Sequence, residues 1–370
     1  MTPTSKLIRS DLRELKPYNA GLSITEIQRR YKVSKVAKLG SNENPFGPAP
    51  EVLTGIENAA SMAFLYPESD AGKLRIAVSD YYSVPADHLI FGNGSEEILS
   101  IICRTVIDPG DRVVTLYPSF PLHEDYAVMM GGYVDRVAVM SDLSIDLAGL
   151  IEAVKEPAKM VVFANPMNPV GAWLKPNELE TVIRETHPNT LIVIDEAYFE
   201  YAVEGDYCTA LEFLQTEHQN WMVLRTFSKA WGLAGLRIGF AVCSNRELRE
   251  ALDLTRTPFN TNALAQYAAA TVLSHDSHMK RHVAHINSEK NKVERALKDA
   301  RVVFASSLGN FLFIRCQYSA DEMVERLLKS GTIVKPWRQE GFTNFIRVSI
   351  GNQCENNQFL SSFLSRRGSD

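Results

Sequence analysis

Between Ala37 and Cys243 the chain alternates short apolar runs with longer stretches of helical spacing. The runs are His88–Phe91, Arg112–Leu116, Gly132–Val139, Met160–Ala164, Leu191–Ile194, Met222–Thr226 and Ile238–Val242. Most are rich in Val, Ile and Leu with little alternation, as expected of strands covered on both faces. Between them, Ser95–Ile107, Leu122–Met130, Leu147–Ala153 and Pro176–Thr186 have helical character. The pattern predicts βαβ units and an α/β domain with a mainly parallel sheet.

Beyond Arg246 the character changes. A long helical stretch is expected to about Leu273, and a charge-laced one from Met279 to Lys298. Val302–Cys316, the helix-like Ala320–Ser330, Thr332–Pro336 and Phe345–Ile350 then suggest a small α+β unit. The expected organisation is an arm at 1–35, packed on the small domain or a partner subunit, a large domain at 36–256 and a small domain at 257–370. At about 150 residues per domain, the 370 residues agree with two main units.

Composition narrows the function classes. With 45% hydrophobic and 22% charged residues the chain is neither disordered nor fibrous. A net charge of −5 offers no excess positive field to a polyanion, so nucleic acid is not an expected partner, and the short basic pairs Arg29-Arg30 and Arg366-Arg367 read as surface. The five cysteines form no CxxC pair, so neither a zinc cluster nor a disulfide framework is suggested. Met1–Leu15 has no continuous apolar segment of signal-peptide type, and the uncharged Thr257–Ser274 contains Pro258, Asn260, Asn262 and Gln266, so a cytoplasmic protein without a membrane span is expected. His275, His278, His282 and His285 could line one helix face and bind a metal, but the spacing lacks the HExxH pattern, and a solvated helix face beside Lys280 and Arg281 is expected instead, without a metal.

An ordered series of residues carries the chemistry. Asn165-Pro-Met-Asn-Pro-Val-Gly171 follows an apolar run and would sit at the carboxyl end of a strand, where open α/β sheets bind ligands; alone, it reads equally as a tight turn. Leu191–Ile194 ends in Asp195, with Tyr198 three residues on. A carboxylate at the end of a buried strand is costly unless paired, so Asp195 is expected to face a cation, although a helix cap is the ordinary alternative. Next, Thr226-Phe-Ser-Lys-Ala-Trp-Gly-Leu-Ala-Gly-Leu-Arg237 sets the lone Lys229 among small and apolar residues. Desolvation there would lower its pKa, the condition for a Schiff-base nucleophile, while Thr226, Ser228 and Arg237 offer two hydroxyls and a fork donor to a phosphate. Upstream, Gly92-Asn-Gly-Ser-Glu-Glu97 joins a strand to a helix, so the amides near Ser95 could bind an anion. A phosphate at Ser95, Thr226, Ser228 and Arg237, a cationic ring nitrogen at Asp195 and a carbonyl at Lys229 together describe pyridoxal 5'-phosphate.

With Ser41-Asn-Glu-Asn-Pro-Phe-Gly47, Tyr66-Pro67-Glu68 and Phe345-Ile-Arg-Val-Ser-Ile-Gly351 in the same order, the chain resembles the fold-type I pyridoxal-phosphate enzymes of the aspartate-aminotransferase type, and among them the histidinol-phosphate aminotransferases. The resemblance spans nearly the whole chain. It implies a large domain with a seven-stranded, mainly parallel sheet flanked by helices, plus a smaller α+β domain. It further implies Lys229, Asp195 and Tyr198 as catalytic residues, with Lys229 forming the Schiff base and carrying the proton and Asp195 keeping the pyridine nitrogen protonated. Ser95, Glu96, Phe120, Asn168, Thr226, Ser228 and Arg237 would complete the cofactor site; Asn168 and Tyr198 would serve the ring oxygen and Phe120 the ring face, although Phe120 reads equally as a core residue. Tyr66 would reach the cofactor of the neighbouring subunit, which implies a homodimer.

For the substrate the resemblance assigns Arg347 to an anionic group, Tyr18 to a phosphate end, and Asn44 to a place beside the substrate. Lys335 stands where the family usually has Arg, replacing a bidentate clamp by a point charge, with Arg338 as the alternative. The implied reaction is transfer of an amino group between histidinol phosphate and 2-oxoglutarate in two half-reactions. Lys335 keeps open a relative acting on aromatic or other amino acids, and residue types alone do not exclude a decarboxylase of the threonine-phosphate type. A non-catalytic regulator would need a DNA-binding domain, for which 35 residues are too few.

Overall fold

The computed structural model describes residues 7–13, 15–19, 21–203 and 205–365. All seven apolar runs form strands. After the short β1 (Ala37–Lys38) come β2 (Leu89–Gly92), β3 (Arg112–Tyr117), β4 (Tyr133–Ala138), β5 (Met160–Ala164), β6 (Leu191–Asp195), β7 (Trp221–Thr226) and β8 (Gly239–Cys243). Strands β2 to β8 make one seven-stranded sheet in the order β2-β8-β7-β6-β5-β3-β4. Neighbours from β7 to β4 are parallel, whereas β8 is antiparallel to both β2 and β7. Strands β5, β6, β7 and β8 are buried at every position, which is why they lack alternation.

This topology positions the site. Strands β2, β3, β5, β6 and β7 run in one direction, so their carboxyl ends share an edge of the sheet, and the antiparallel β8 begins at that edge. The segments 93–97, 118–123, 165–171, 196–200 and 227–238 therefore converge without further contrivance.

Four further strands, β9 (Phe311–Arg315), β10 (Thr332–Ile333), β11 (Lys335–Pro336) and β12 (Phe345–Ser349), build the smaller unit. Antiparallel β11-β12-β9 form one sheet, and β10 pairs with β1 in a second. The helix Ile24–Tyr31 packs on helix Ala320–Lys329 through Ile27 and Leu328, with Ile333 of β10 in the same cluster, and the Tyr31 hydroxyl donates to Glu325 at 2.8 Å. Arg366 and Arg367 lie outside the described residues.

Two expectations need correction. The helix foreseen from Arg246 to Leu273 is two, Arg246–Thr255 and Ala263–Leu273, separated by a segment containing Pro258, which cannot donate within a helix. The second packs against helices Pro50–Ala59 and Gly72–Tyr82, and on that packing we propose a domain boundary near residue 275 in place of 256/257. The histidine row is only in part a solvated face, since of its four members His285 alone is exposed. His278 and His282 are half-buried with rings 4.1 Å apart, and Phe46 lies 4.6 Å from the His282 ring. Among the described residues no group of three or more His, Cys, Asp or Glu is placed to hold a metal.

Candidate active site

The shared strand edge opens into a cleft of about 550 Å³, closed from the other side by β11, β12 and the arm at Lys16–Tyr18. Its lining includes Tyr18, Ser95, Glu96, Phe120, Asn168, Asp195, Tyr198, Thr226, Ser228, Lys229, Arg237, Lys335 and Arg347. The sequence-expected set is therefore gathered at one place, with two exceptions described below.

Lys229 follows the end of β7 in a turn fixed by the Ser228 amide, which donates to Thr226 Oγ1 at 3.2 Å. Its ammonium donates to the Ser41 carbonyl at 3.0 Å, and among the described residues no carboxylate is bonded to it. Burial, reinforced by the charge of Arg347, lowers its pKa to about 8. Asp195 ends β6 in the buried interior; Oδ1 accepts from the Ala197 amide at 3.0 Å, and Oδ2 lies 3.2 Å from His123 Nε2.

Beside these lies an anion seat. Ser95 opens the helix Ser95–Val106, whose first amides and dipole point into the cleft. Thr226 Oγ1 and Ser228 Oγ are 3.0 Å apart, and Arg237 Nη1 donates to Ser228 Oγ at 3.4 Å. The approach of β2 to β8 leaves no room for side chains: a Cβ on Gly239 would come within 2.4 Å of the Ser95 nitrogen, and one on Gly94, whose φ is +84°, within 2.4 Å of the Arg237 guanidinium. Two hydroxyls, a helix N-terminus and a guanidinium make a seat for a dianion.

The donors along the cleft also have free capacity. Asn168 Oδ1 accepts from Arg347 Nη1 at 2.7 Å, which leaves the Asn168 amide to donate. Tyr198 Oη accepts from Asn42 Nδ2 at 2.9 Å, which leaves its own hydrogen free; burial pushes the Tyr198 pKa up to about 12, so the hydroxyl stays protonated. Two donors aimed at one region, a buried carboxylate, a reactive lysine and a dianion seat fit pyridoxal phosphate. Phe120 stands over the opening, edge-on to His123 with ring centroids 5.5 Å apart and to Tyr18 at 6.1 Å.

Strand register explains the opposite wall. Lys335 on β11 and Arg347 on β12 are direct cross-strand partners, so their side chains leave the sheet on one face. Arg347 is buried, donates to Gly40 O at 2.8 Å as well as to Asn168, and keeps a buried Nε without a partner. Lys335 donates to the Asn19 carbonyl and lies 4.9 Å from the Tyr18 ring; burial and the neighbouring charges of Arg347 and Arg338 lower its pKa to about 8. Arg338 does not replace it: its guanidinium pairs with Asp321 at 2.8 Å on the surface.

Two site residues fall elsewhere. Asn44 donates to the Ala230 carbonyl at 2.9 Å and lines a neighbouring cleft, and it is Asn42 of the same motif that touches Tyr198. Tyr66 is 83% exposed and stacks on Phe259 outside the cleft. Sequence reasoning also missed His123, which lies on the helix Leu122–Met129 and is brought to Asp195 only by the packing of that helix.

Comparisons with known proteins agree with this geometry. Residues 34–363 match the family model for class I and II aminotransferases. A histidinol-phosphate aminotransferase of Mesorhizobium japonicum is 49% identical, covering 98% of this chain and 99% of its own length, and one of Rhizobium meliloti is 46% identical over 97% of each. The crystal structure of histidinol-phosphate aminotransferase from Sinorhizobium meliloti in complex with pyridoxal 5'-phosphate superposes with a TM-score of 0.87 at 28% identity, covering 96% of both chains.

Proposed function

The chain belongs to the class I and II aminotransferases, which use pyridoxal 5'-phosphate, and on that premise we propose that it moves an amino group between histidinol phosphate and 2-oxoglutarate. The observation that carries the substrate is the second cationic end of the cleft. Lys335 and Arg347, cross-strand partners on the wall built by the smaller unit, line the same cleft as Lys229 and the first anion seat, so the cleft has a place for a phosphate besides that of the cofactor.

When bound, pyridoxal phosphate supplies a carbonyl that condenses with amines and a cationic ring that draws off the electrons of a broken α-carbon bond. Ser95, Thr226, Ser228 and Arg237 would hold its phosphate, Asp195 its ring nitrogen, Asn168 and Tyr198 its ring oxygen, and Phe120 its face. Lys229 Nζ, near neutrality because of its burial, is the nucleophile and then the base that takes the proton from the substrate's α-carbon and returns it. His123 holds the Asp195 carboxylate in place, and Asn42 orients the Tyr198 hydroxyl. Glu96, which takes the Tyr126 hydroxyl and lies 3.7 Å from Arg237, holds the guanidinium at the seat.

The assembly we infer is a homodimer. Met62, Phe64, Leu65 and Tyr66 form an exposed apolar stretch, with Phe64 80% and Tyr66 83% accessible, and a second copy covering it would bring Tyr66 to the neighbouring cleft. A monomeric mass by sedimentation contradicts this. Among the described residues no helix is long and apolar enough to cross a membrane, and with five free thiols we place the enzyme in the cytoplasm.

The test of the substrate is a half-reaction scan in which histidinol phosphate, glutamate, phenylalanine and phosphothreonine are mixed in turn with the cofactor-loaded protein and its visible absorption is followed. Bleaching by histidinol phosphate and glutamate is expected. Bleaching by phenylalanine alone, or release of carbon dioxide from phosphothreonine, overturns the assignment.

A further inference from the structure

The helix Leu122–Met129 presents one face to the cleft: Leu122, Asp125, Tyr126 and Met129, spaced by three and four residues, all line it. Asp125 is the only acid on that face. The cleft as a whole is cationic, lined by Lys16, Lys229, Arg237, Lys335 and Arg347, and contains three carboxylates. Two of them are committed. Glu96 receives the Tyr126 hydroxyl and lies by Arg237, and Asp195 is held by the Ala197 amide and His123. The Asp125 carboxylate has no hydrogen bond or ion pair among the described residues. Arg136, the cation whose charge acts on it, is already bound by Glu124 at 2.6 Å.

A half-buried carboxylate without a partner is costly unless a ligand supplies one. On the reading that histidinol phosphate is the substrate, its phosphate and its amine have partners in Lys335 with Tyr18 and in Lys229. Its imidazole, which carries an N–H and is readily protonated, has none so far. We propose that Asp125 is a specificity-determining residue whose carboxylate receives an N–H of the substrate's imidazole ring, beside the aromatic rings of Phe120 and Tyr18. Burial and the charge of Glu124 push the Asp125 pKa up to about 6, close to the ordinary imidazole value of about 6.5, so a proton between them is shared without a large mismatch. Glutamate has no ring N–H, and its second carboxylate would meet Asp125 as a like charge. The residue therefore separates the two amino donors.

The test is the ratio of kcat/KM for histidinol phosphate to kcat/KM for glutamate, each measured as a half-reaction on the cofactor-loaded protein. In Asp125→Asn this ratio is expected to fall about tenfold or more, as for loss of a hydrogen bond to a charged group. Asp125→Glu should recover part of it, and thermal melting should show both variants folded. An unchanged ratio, or equal loss with both substrates, overturns the proposal. A wild-type protein inert to histidinol phosphate but bleached by another amino acid overturns the functional reading on which it rests, and the proposal with it.

Discussion

The two ends of the cleft are built in different ways. At the cofactor end the side chains around the ring position are tied to one another: Asp195 to His123, Asn168 to Arg347, Tyr198 to Asn42, and Asn42 to Ser349, whose hydroxyl accepts from the Asn42 backbone amide at 2.8 Å and donates to its Oδ1 at 2.9 Å. At the substrate end Tyr18 is 52% exposed, Lys335 is held by one backbone carbonyl, and Asp125 by nothing described. Buried groups tied into one network are rigid and intolerant of change, whereas loosely tied groups are free to take up a ligand or to vary. The chemistry is thus fixed in the sheet edge, and the choice of substrate is left to the arm, the smaller unit and the face of helix Leu122–Met129 that carries Asp125.

That contrast can be broken most severely at Lys229. Lys229→Ala should lower turnover by about a thousandfold or more with the fold intact, because nucleophile and proton carrier are lost together. Turnover near wild type contradicts the assignment. A second measurement sharpens the same point through pH. With a pKa of about 8, Lys229 gains its neutral amine form as pH rises through 8, so at pH 7.5 an acylating reagent should label it in the cofactor-free protein about a hundredfold faster than a surface lysine, and the advantage should shrink as pH approaches 10. Equal labelling at pH 7.5, read by peptide mass analysis, contradicts the lowered pKa.

Across the cleft the expected effects are smaller. Arg347→Ala removes a buried cation that also anchors Asn168, and kcat/KM should fall by about tenfold to a hundredfold, mainly through KM. An unchanged KM would show that the residue acts on the fold alone. Lys335→Ala, at a more open position, should raise the KM for histidinol phosphate by about tenfold and that for glutamate by less. Equal effects on the two substrates would remove the distinction between a phosphate end and a general anion end.

What could be read from the sequence follows the same division. The strands were legible because a sheet covered on both faces needs uninterrupted apolar runs, and Asp195 and Lys229 stand out against such runs. Asn42 was not separable from Asn44, since the choice depends on Ser349 of β12, some 300 residues away, and no local pattern carries that pairing. His123 and Asp125 were hidden within a helix, whose inward and cleft-facing sides are decided by what packs on it. The break at Arg256–Asn262 was missed because the apolar spacing continues across Pro258. Tyr66 lies outside its own chain's cleft, and the role inferred for it comes from a second copy, which no pattern within one chain encodes.

The central claim is that two separate anion seats flank Lys229. The most direct measurement is a crystal structure of the Lys229→Ala protein loaded with pyridoxal phosphate and histidinol phosphate. The account predicts one phosphate at Ser95, Thr226, Ser228 and Arg237 and the other at Lys335 and Tyr18. Density for the substrate's phosphate away from Lys335, with that lysine still turned to the Asn19 carbonyl, would contradict it.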